Sequence, residues 1–276
     1  NNHTPTFIES HTAIKQYRFA IHPLHNPTRL FEAFSPLMAY LNQNIKGVEF
    51  TLETSKNYAS FNKKLENQTV EFALPNPYQT LLAIDKGYNV FAKIASDENF
   101  RGIILVRKDS GIKYPSDLKG KAVSYPALTA LAATMLPQDY LQRHGIDINT
   151  DIDNRYVGSQ ESSIMNVFVG NTAAGATWPL PWKALSKERP ELKEQLKIIW
   201  ETDSLPNNSV MARSDIPNEI IEQVQSLLIN LHQTKAGQEI INKMYLSKFG
   251  LADNNTYEPV RQFIEQFQKN VRPLKW

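Results

Sequence analysis

The 276-residue chain predicts an α/β fold with largely parallel sheets. Two observations carry this. Strand-sized apolar runs, such as Ile103-Ile104-Leu105-Val106, alternate with helix-period segments from one end to the other. Neither an internal repeat of ~20–50 residues nor a low-complexity segment interrupts the alternation.

In chain order, Tyr17 to Ile21 reads as a buried strand. Asn26-Pro27 then supplies an N-cap and a proline at the first helical position. Leu30, Phe31, Phe34, Leu37, Met38 and Leu41 follow at helical spacing. Strand returns at Val48–Leu52, a short helix at Tyr58–Leu65 and a short strand at Phe72–Leu74. Pro77 opens a helix to Ile84, and strands follow at Val90–Ala95 and Gly102–Arg107.

A second series then begins, with a turn at Pro115–Leu118, a strand at Lys121–Tyr125 and a helix over Thr129–His144 that Pro137 should kink. Arg155–Val157, Ala173–Thr177, Lys197–Trp200 and Ser209–Ala212 read as strands, with helices at Ser162–Val169 and Pro181–Lys187. Three helical segments close the chain, at Pro217–Leu231, Ala236–Tyr245 and Tyr257–Phe267. This all-helical tail needs a sheet to cover, and the expectation is that it returns to the first half.

Composition narrows the function classes. Thirty basic residues against 28 acidic ones leave a net charge of +2, too even to point to nucleic acid or an anionic membrane. The absence of cysteine removes disulfides, thiolate metal sites and cysteine nucleophiles. No apolar stretch reaches the ~18 residues of a membrane span. The sequence opens Asn1-Asn2-His3 without an initiator methionine, as expected for a mature or trimmed form whose signal peptide or lipid anchor is already gone. Motifs for a nucleophile elbow, a dinucleotide fold, a P-loop or a zinc protease are missing, so no enzyme and no cofactor is expected.

Five segments, in order, resemble one family. They are Ala20-Ile21-His22-Pro23-Leu24-His25-Asn26-Pro27; Ala73-Leu74-Pro75-Asn76-Pro77-Tyr78; Lys108-Asp109-Ser110-Gly111-Ile112 running into Asp117-Leu118-Lys119-Gly120-Lys121; Val157-Gly158-Ser159-Gln160-Glu161-Ser162-Ser163; and Ala174-Gly175-Ala176-Thr177-Trp178. Together they resemble the periplasmic substrate-binding proteins of phosphate, phosphite and phosphonate ABC transporters. The resemblance implies a two-lobed, periplasmic-binding-protein-like α/β fold with the ligand cleft between the lobes. It also implies a small-molecule ligand, a membrane permease of an ABC importer as partner, a monomeric state and a periplasmic or extracytoplasmic, membrane-anchored location in a bacterium. The implied lobes are residues 1–107 plus 205–276 and residues 108–204, with crossings near Arg107–Gly111 and Thr202–Pro206.

Ligands of open α/β sheets bind beyond the carboxyl ends of the strands, where helix N-termini offer free N–H groups. Candidate termini lie after Asn26, Asn76, Leu128 and Gln160. The candidate ligand-binding residues are Tyr58, Asn76, Tyr78, Tyr125, Thr129, Gln160, Glu161, Trp178 and Trp182. The family often places a ligand tyrosine at the position of Tyr58 and a histidine at that of Gln160. It usually carries a hydroxyl-rich run where this chain has Tyr125-Pro126-Ala127-Leu128-Thr129-Ala130-Leu131-Ala132-Ala133. Here those positions are filled mainly by Ala and Leu, with Thr129 the nearest hydroxyl, so the family's usual grip is not intact and backbone N–H groups are what could still bind an anion. Glu161 would meet an amine on a zwitterionic ligand or cap its own helix. Trp178 and Trp182 flank Pro179-Leu180-Pro181 and would stack on a ligand or pack at the hinge. His22 and His25 form His-x-x-His, but metal binding needs three or four converging ligands, so no metal is expected. Arg29, in the first turn of its helix, faces an unfavourable dipole end and suits either a ligand or phosphate contact or a salt bridge on the lobe surface. An alternative with the same fold is the ligand-sensing extracytoplasmic domain of a signalling protein; an enzyme is the third reading.

Overall fold

The computed structural model describes residues 13–274, and the outermost parts of the expected first lobe, 1–12 and 275–276, lie outside the described residues. The first series runs β1 (Lys15–Ile21), α1 (Pro27–Asn44), β2 (Val48–Glu53), α2 (Tyr58–Glu66), β3 (Phe72–Leu74), α3 (Pro77–Asp85) and β4 (Tyr88–Ile94). The second is β5 (Arg101–Arg107), β6 (Ala122–Tyr125), α4 (Leu136–Arg143), β7 (Asp153–Tyr156), α5 (Gln160–Phe168), β8 (Ala174–Thr177), α6 (Pro179–Glu188), α7 (Glu191–Gln195) and β9 (Leu196–Ser204). The chain returns through β10 (Ser209–Arg213), α8 (Asn218–Asn230), α9 (Lys235–Lys243), β11 (Phe249–Leu251) and α10 (Glu258–Asn270).

Two sheets centre two lobes. The first has the order β11-β4-β10-β3-β1-β2 and the second β7-β6-β8-β5-β9. In the first, β1 pairs in parallel with β2 and β3, while β10 and β11 run against β4. In the second, β6 pairs in parallel with β7 and β8, and β5 runs against both β8 and β9. Most strands of each sheet therefore share a direction; the reversed strands are β10 and β11 in the first sheet and β5 in the second, of which β5 and β10 follow the two crossings between lobes.

The local rules that start the helices hold. Asn26, Asn57, Asn76 and Ser159 cap α1, α2, α3 and α5 with side-chain oxygens that accept from the third residue on. Leu30, Phe34, Leu37, Met38 and Leu41 of α1 are buried, but Phe31 is exposed and lies off the apolar stripe. The first-lobe core is built on contacts among Tyr17, Phe19, Phe50, Phe72 and Phe91. The C-terminal tail returns to this lobe as expected, α8 against β4 and β11, α9 against α1 and α10 against α3. Among the described residues no helix is long and apolar enough to cross a membrane.

Four expectations need correction. Strand β5, expected in the first lobe, belongs to the second sheet, so the chain crosses over Ala95–Phe100 and returns over Leu205–Asn208. The Asp109-Ser110-Gly111 segment, with Gly111 at φ +73°, is a turn inside the second lobe; Lys108 N–H bonds Gln195 O beside it. The tail is not all helical, because β11 adds an edge strand too short to show a period. Lastly, the expected Thr129–His144 helix opens as a π-turn over Leu131–Met135 before α4. Pro137 has no N–H to donate and its ring crowds the carbonyl four residues back, which a widened turn relieves.

Candidate ligand site between the lobes

Strand ends from both sheets converge on one small cavity. His22 follows β1, Asn76 follows β3 and caps α3, and Tyr58 opens α2. From the other lobe come Ala130–Ala133 after β6, Gln160 at the start of α5, and Trp178 between β8 and α6. Phe100, on the crossover, packs its ring against Trp178 with centroids 5.4 Å apart. This is the crevice beyond the carboxyl ends of the strands, ringed by helix starts.

The lobes are closed on one another around it. Gln160 Nε2 donates to the Tyr58 hydroxyl (3.1 Å), Asn26 Nδ2 to Glu161 Oε2 (2.7 Å) and Asn76 Nδ2 to Thr129 O (3.3 Å). Arg29 of α1 pairs with Glu188 of α6. A second set of contacts lies behind the cavity. Arg272, just past α10, donates to Gln138 Oε1 (2.7 Å) and to Leu128 O (2.5 Å), with its guanidinium over the rings of Tyr156 and Phe267. Asn149 Nδ2 reaches Val271 O at 2.9 Å. The C-terminal segment thus holds the 128–133 loop from outside while the cavity lies on its inner side.

The polarity of the cavity is set by neutral groups. Leu131, Ala132 and Ala133 open the helical run, so their N–H groups have no acceptor in a preceding turn. Thr177 Oγ1 donates to Gln160 Oε1 (2.7 Å), which fixes the amide so that Nε2 points at Tyr58. Because the Tyr58 oxygen accepts from Gln160, its own proton is available to the cavity. Burial pushes that phenol up to about 12, partly offset by the Gln160 bond, so it remains a donor. Among the described residues no Lys, Arg, Asp or Glu lines the cavity. His22 bonds Leu74 O through Nδ1 (2.9 Å), and burial pushes its pKa down to about 4. At neutral pH it is uncharged, with its proton on Nδ1.

Tyr58, Asn76, Gln160 and Trp178 therefore meet at one cavity, while the other candidates stand apart from its lining. Thr129 contributes its carbonyl to Asn76, one residue before the lining loop begins. Tyr125 is fully buried and stacked on Tyr156 at 5.6 Å. Tyr78 is buried near Arg272, whose charge acts on its phenol. Glu161 is taken up by Asn26. Trp182 packs in a small apolar cluster with Ile103, Leu105, Ile164 and Val167, because it lies one helical turn beyond Trp178. His22 and Phe100 were missed as ligand-site residues. The strand-end rule that picks Asn76 after β3 also picks His22 after β1; nothing in the sequence marks Phe100, whose place depends on where the chain crosses.

The profile of the family described as "ABC transporter, phosphonate, periplasmic substrate-binding protein" matches residues 19–257. The chain belongs to this family. The chain is similar to the phosphonates-binding periplasmic protein of Escherichia coli, 19% identical over 258 residues, 90% of this chain and 75% of that one. A phosphate-import protein of Mycolicibacterium smegmatis is 22% identical over 233 residues, covering 79% and 72%. Among solved structures, a Prochlorococcus marinus protein in complex with methylphosphonate has a TM-score of 0.84 at 18% identity, covering 92% of this chain and 99% of that one. A binding protein component of a phosphonate ABC transporter from Pseudomonas aeruginosa gives 0.83 at 17%, covering 93% and 87%. Both share the two-lobed fold. The family assignment makes this chain a substrate-binding component of an ABC importer, of a periplasmic type.

Proposed function

We propose that the protein captures a small phosphonate-class oxyanion in the cavity between its lobes and presents it, in the closed form, to the membrane permease of the importer. The observation that carries this is that Leu131–Ala133, whose N–H groups open the helical run, and Tyr58 line one small cavity between the lobes. Hydrogen bonds to a charged group contribute about 1.5–3 kcal/mol each, so four such donors suffice for tight binding without a cation. The small side chains of Ala130, Ala132 and Ala133 let the anion approach the backbone, which takes over from the hydroxyls usual in the family.

We read the site as one that binds without transforming its ligand, in keeping with a family of substrate-binding components. The monomer is the working unit in this reading, free in the periplasm or tethered to the membrane. Glu161, bonded to Asn26, is not presented to an amine, which favours phosphonates without an amino group over zwitterionic ones.

A thermal-shift series with phosphate, phosphite, methylphosphonate and 2-aminoethylphosphonate tests this. A ligand at 100 times its Kd stabilises by about 2.7 kcal/mol, a rise of roughly 5 °C or more in a chain this long. Phosphite or methylphosphonate should give that rise and 2-aminoethylphosphonate should not. No rise with any of them would remove the oxyanion reading.

A further inference from the structure

His22 gives the site a hydrogen-bond acceptor among donors. Its Nδ1 faces Leu74 O, a carbonyl that can only accept, so the ring proton must sit there and Nε2 carries a lone pair. His22 lines the cavity, and none of the described hydrogen bonds occupies Nε2. A fully ionised oxyanion would place one of its own lone pairs against this nitrogen. An oxyanion that keeps one proton has an O–H to offer it.

We propose that the site selects the singly protonated form of a tetrahedral oxyanion, with His22 Nε2 accepting the ligand's O–H while Tyr58 and the Leu131–Ala133 N–H groups hold its other oxygens. This rests on the phosphonate-class reading above and adds the discriminating residue and the ionisation state. The ligands it favours are hydrogen phosphonates and hydrogen phosphite. Those it rejects are sulfonates and sulfate, which match them in shape but carry no proton near neutral pH. Leaving a buried polar group of a site unpaired costs far more discrimination than a change of size does.

The surroundings of His22 leave the pH response to the ligand. Tyr58 of α2 faces its ring at 6.2 Å and Phe61 of the same helix at 6.3 Å; β3 contributes Leu74 O. On its own segment stand His25, pushed down to about 3, and Arg29, whose charge acts on His25. With His22 itself near 4 and Tyr58 near 12, none of the facing groups titrates between about pH 5.5 and 9.

The experiment is calorimetric titration of the full chain with methylphosphonate and, separately, methanesulfonate from about pH 5.5 to 9. Methylphosphonate affinity should track its monoanion, falling about tenfold per pH unit above the ligand's second ionisation. Methanesulfonate, of equal charge and shape but without a proton, should bind roughly 100-fold more weakly at the acid end. The His22→Phe variant, with no acceptor, should lose most of both preferences, and His22→Asn should retain part of them. Both wild-type measurements stand even where a variant fails to fold. Methylphosphonate affinity that is flat or rising with pH, or methanesulfonate binding equally well, would overturn the proposal and leave the oxyanion reading intact. If neither ligand binds at any pH, both fall together.

Discussion

Substituting alanine for Gly102 is expected to lower stability by about 1–3 kcal/mol and to weaken oxyanion binding roughly tenfold or more. Gly102 lies in β5, and a Cβ there would sit 2.5 Å from Ala132 O and 2.7 Å from the ring of Pro137. The first contact is backbone, so the added carbon cannot be accommodated by a rotamer change. It must push the π-turn away from the sheet, and with it the N–H groups of Leu131–Ala133. Since Gly102 N–H also donates to Thr202 Oγ1 (2.8 Å), the strand is pinned from the far side and cannot retreat. Gly250→Ala is the control: its Cβ would meet only Ala95 at an ordinary 3.7 Å, so that variant should be neutral or slightly stabilised. Urea midpoints and methylphosphonate affinity of the two variants check this. Equal stability and affinity in both would show that the close approach at Gly102 does not set the loop.

The second large effect is acid instability with its onset near pH 6.5 rather than in the carboxylate range. His22 and His25 are fully buried, and desolvation pushes their pKa values to about 4 and about 3; Arg29 and His22 add to the depression at His25. The unfolded chain takes up a proton at each near 6.5 while the folded chain does not, so stability is full above that value. It falls as pH drops from about 6.5 toward the folded values, by up to about 1.4 kcal/mol per unit for each histidine. Over the whole window each contributes on the order of 3 kcal/mol. The depressed carboxyls, such as Asp117 held down by the Tyr114 and Lys113 N–H groups, lose their contribution only below the ordinary carboxylate range. Asp139 works the other way, since burial raises its pKa and acid relieves it. Chemical denaturation at pH 7, 6, 5 and 4.5 should show the slope, and His25→Leu should remove about half of it. A flat profile between pH 7 and 5 would mean that these imidazoles are not buried as neutral groups.

How much of this the sequence held varies by kind of information. Caps and periodicity placed nearly every helix and strand, because Asn26, Asn57, Asn76 and Ser159 act within three residues of themselves. Strand pairing is not local, which is why the sequence does not assign β5 to its sheet: Ile103–Val106 is buried on both faces and suits either one. Four of the cavity's side chains were legible from the family resemblance and the strand-end rule together. Trp182 and Tyr125 were not separable from them, because an aromatic in a core and an aromatic in a cleft look alike until the packing is known. The departure at Ala130–Ala133 was readable as a loss of hydroxyls. What replaced them, a widened helical turn with free N–H groups against a glycine, depends on Gly102 and Pro137 meeting across the lobe.

The central claim is that neutral donors in the closed interlobe cavity hold the anion. Calorimetric titration of methylphosphonate into the wild-type chain and into Tyr58→Phe at pH 6 tests it most directly. One site per chain is expected, with an affinity loss of about 10–100-fold in the variant, the value of one hydrogen bond to a charged group. Saturable binding that Tyr58→Phe leaves unchanged would place the ligand elsewhere and contradict the account.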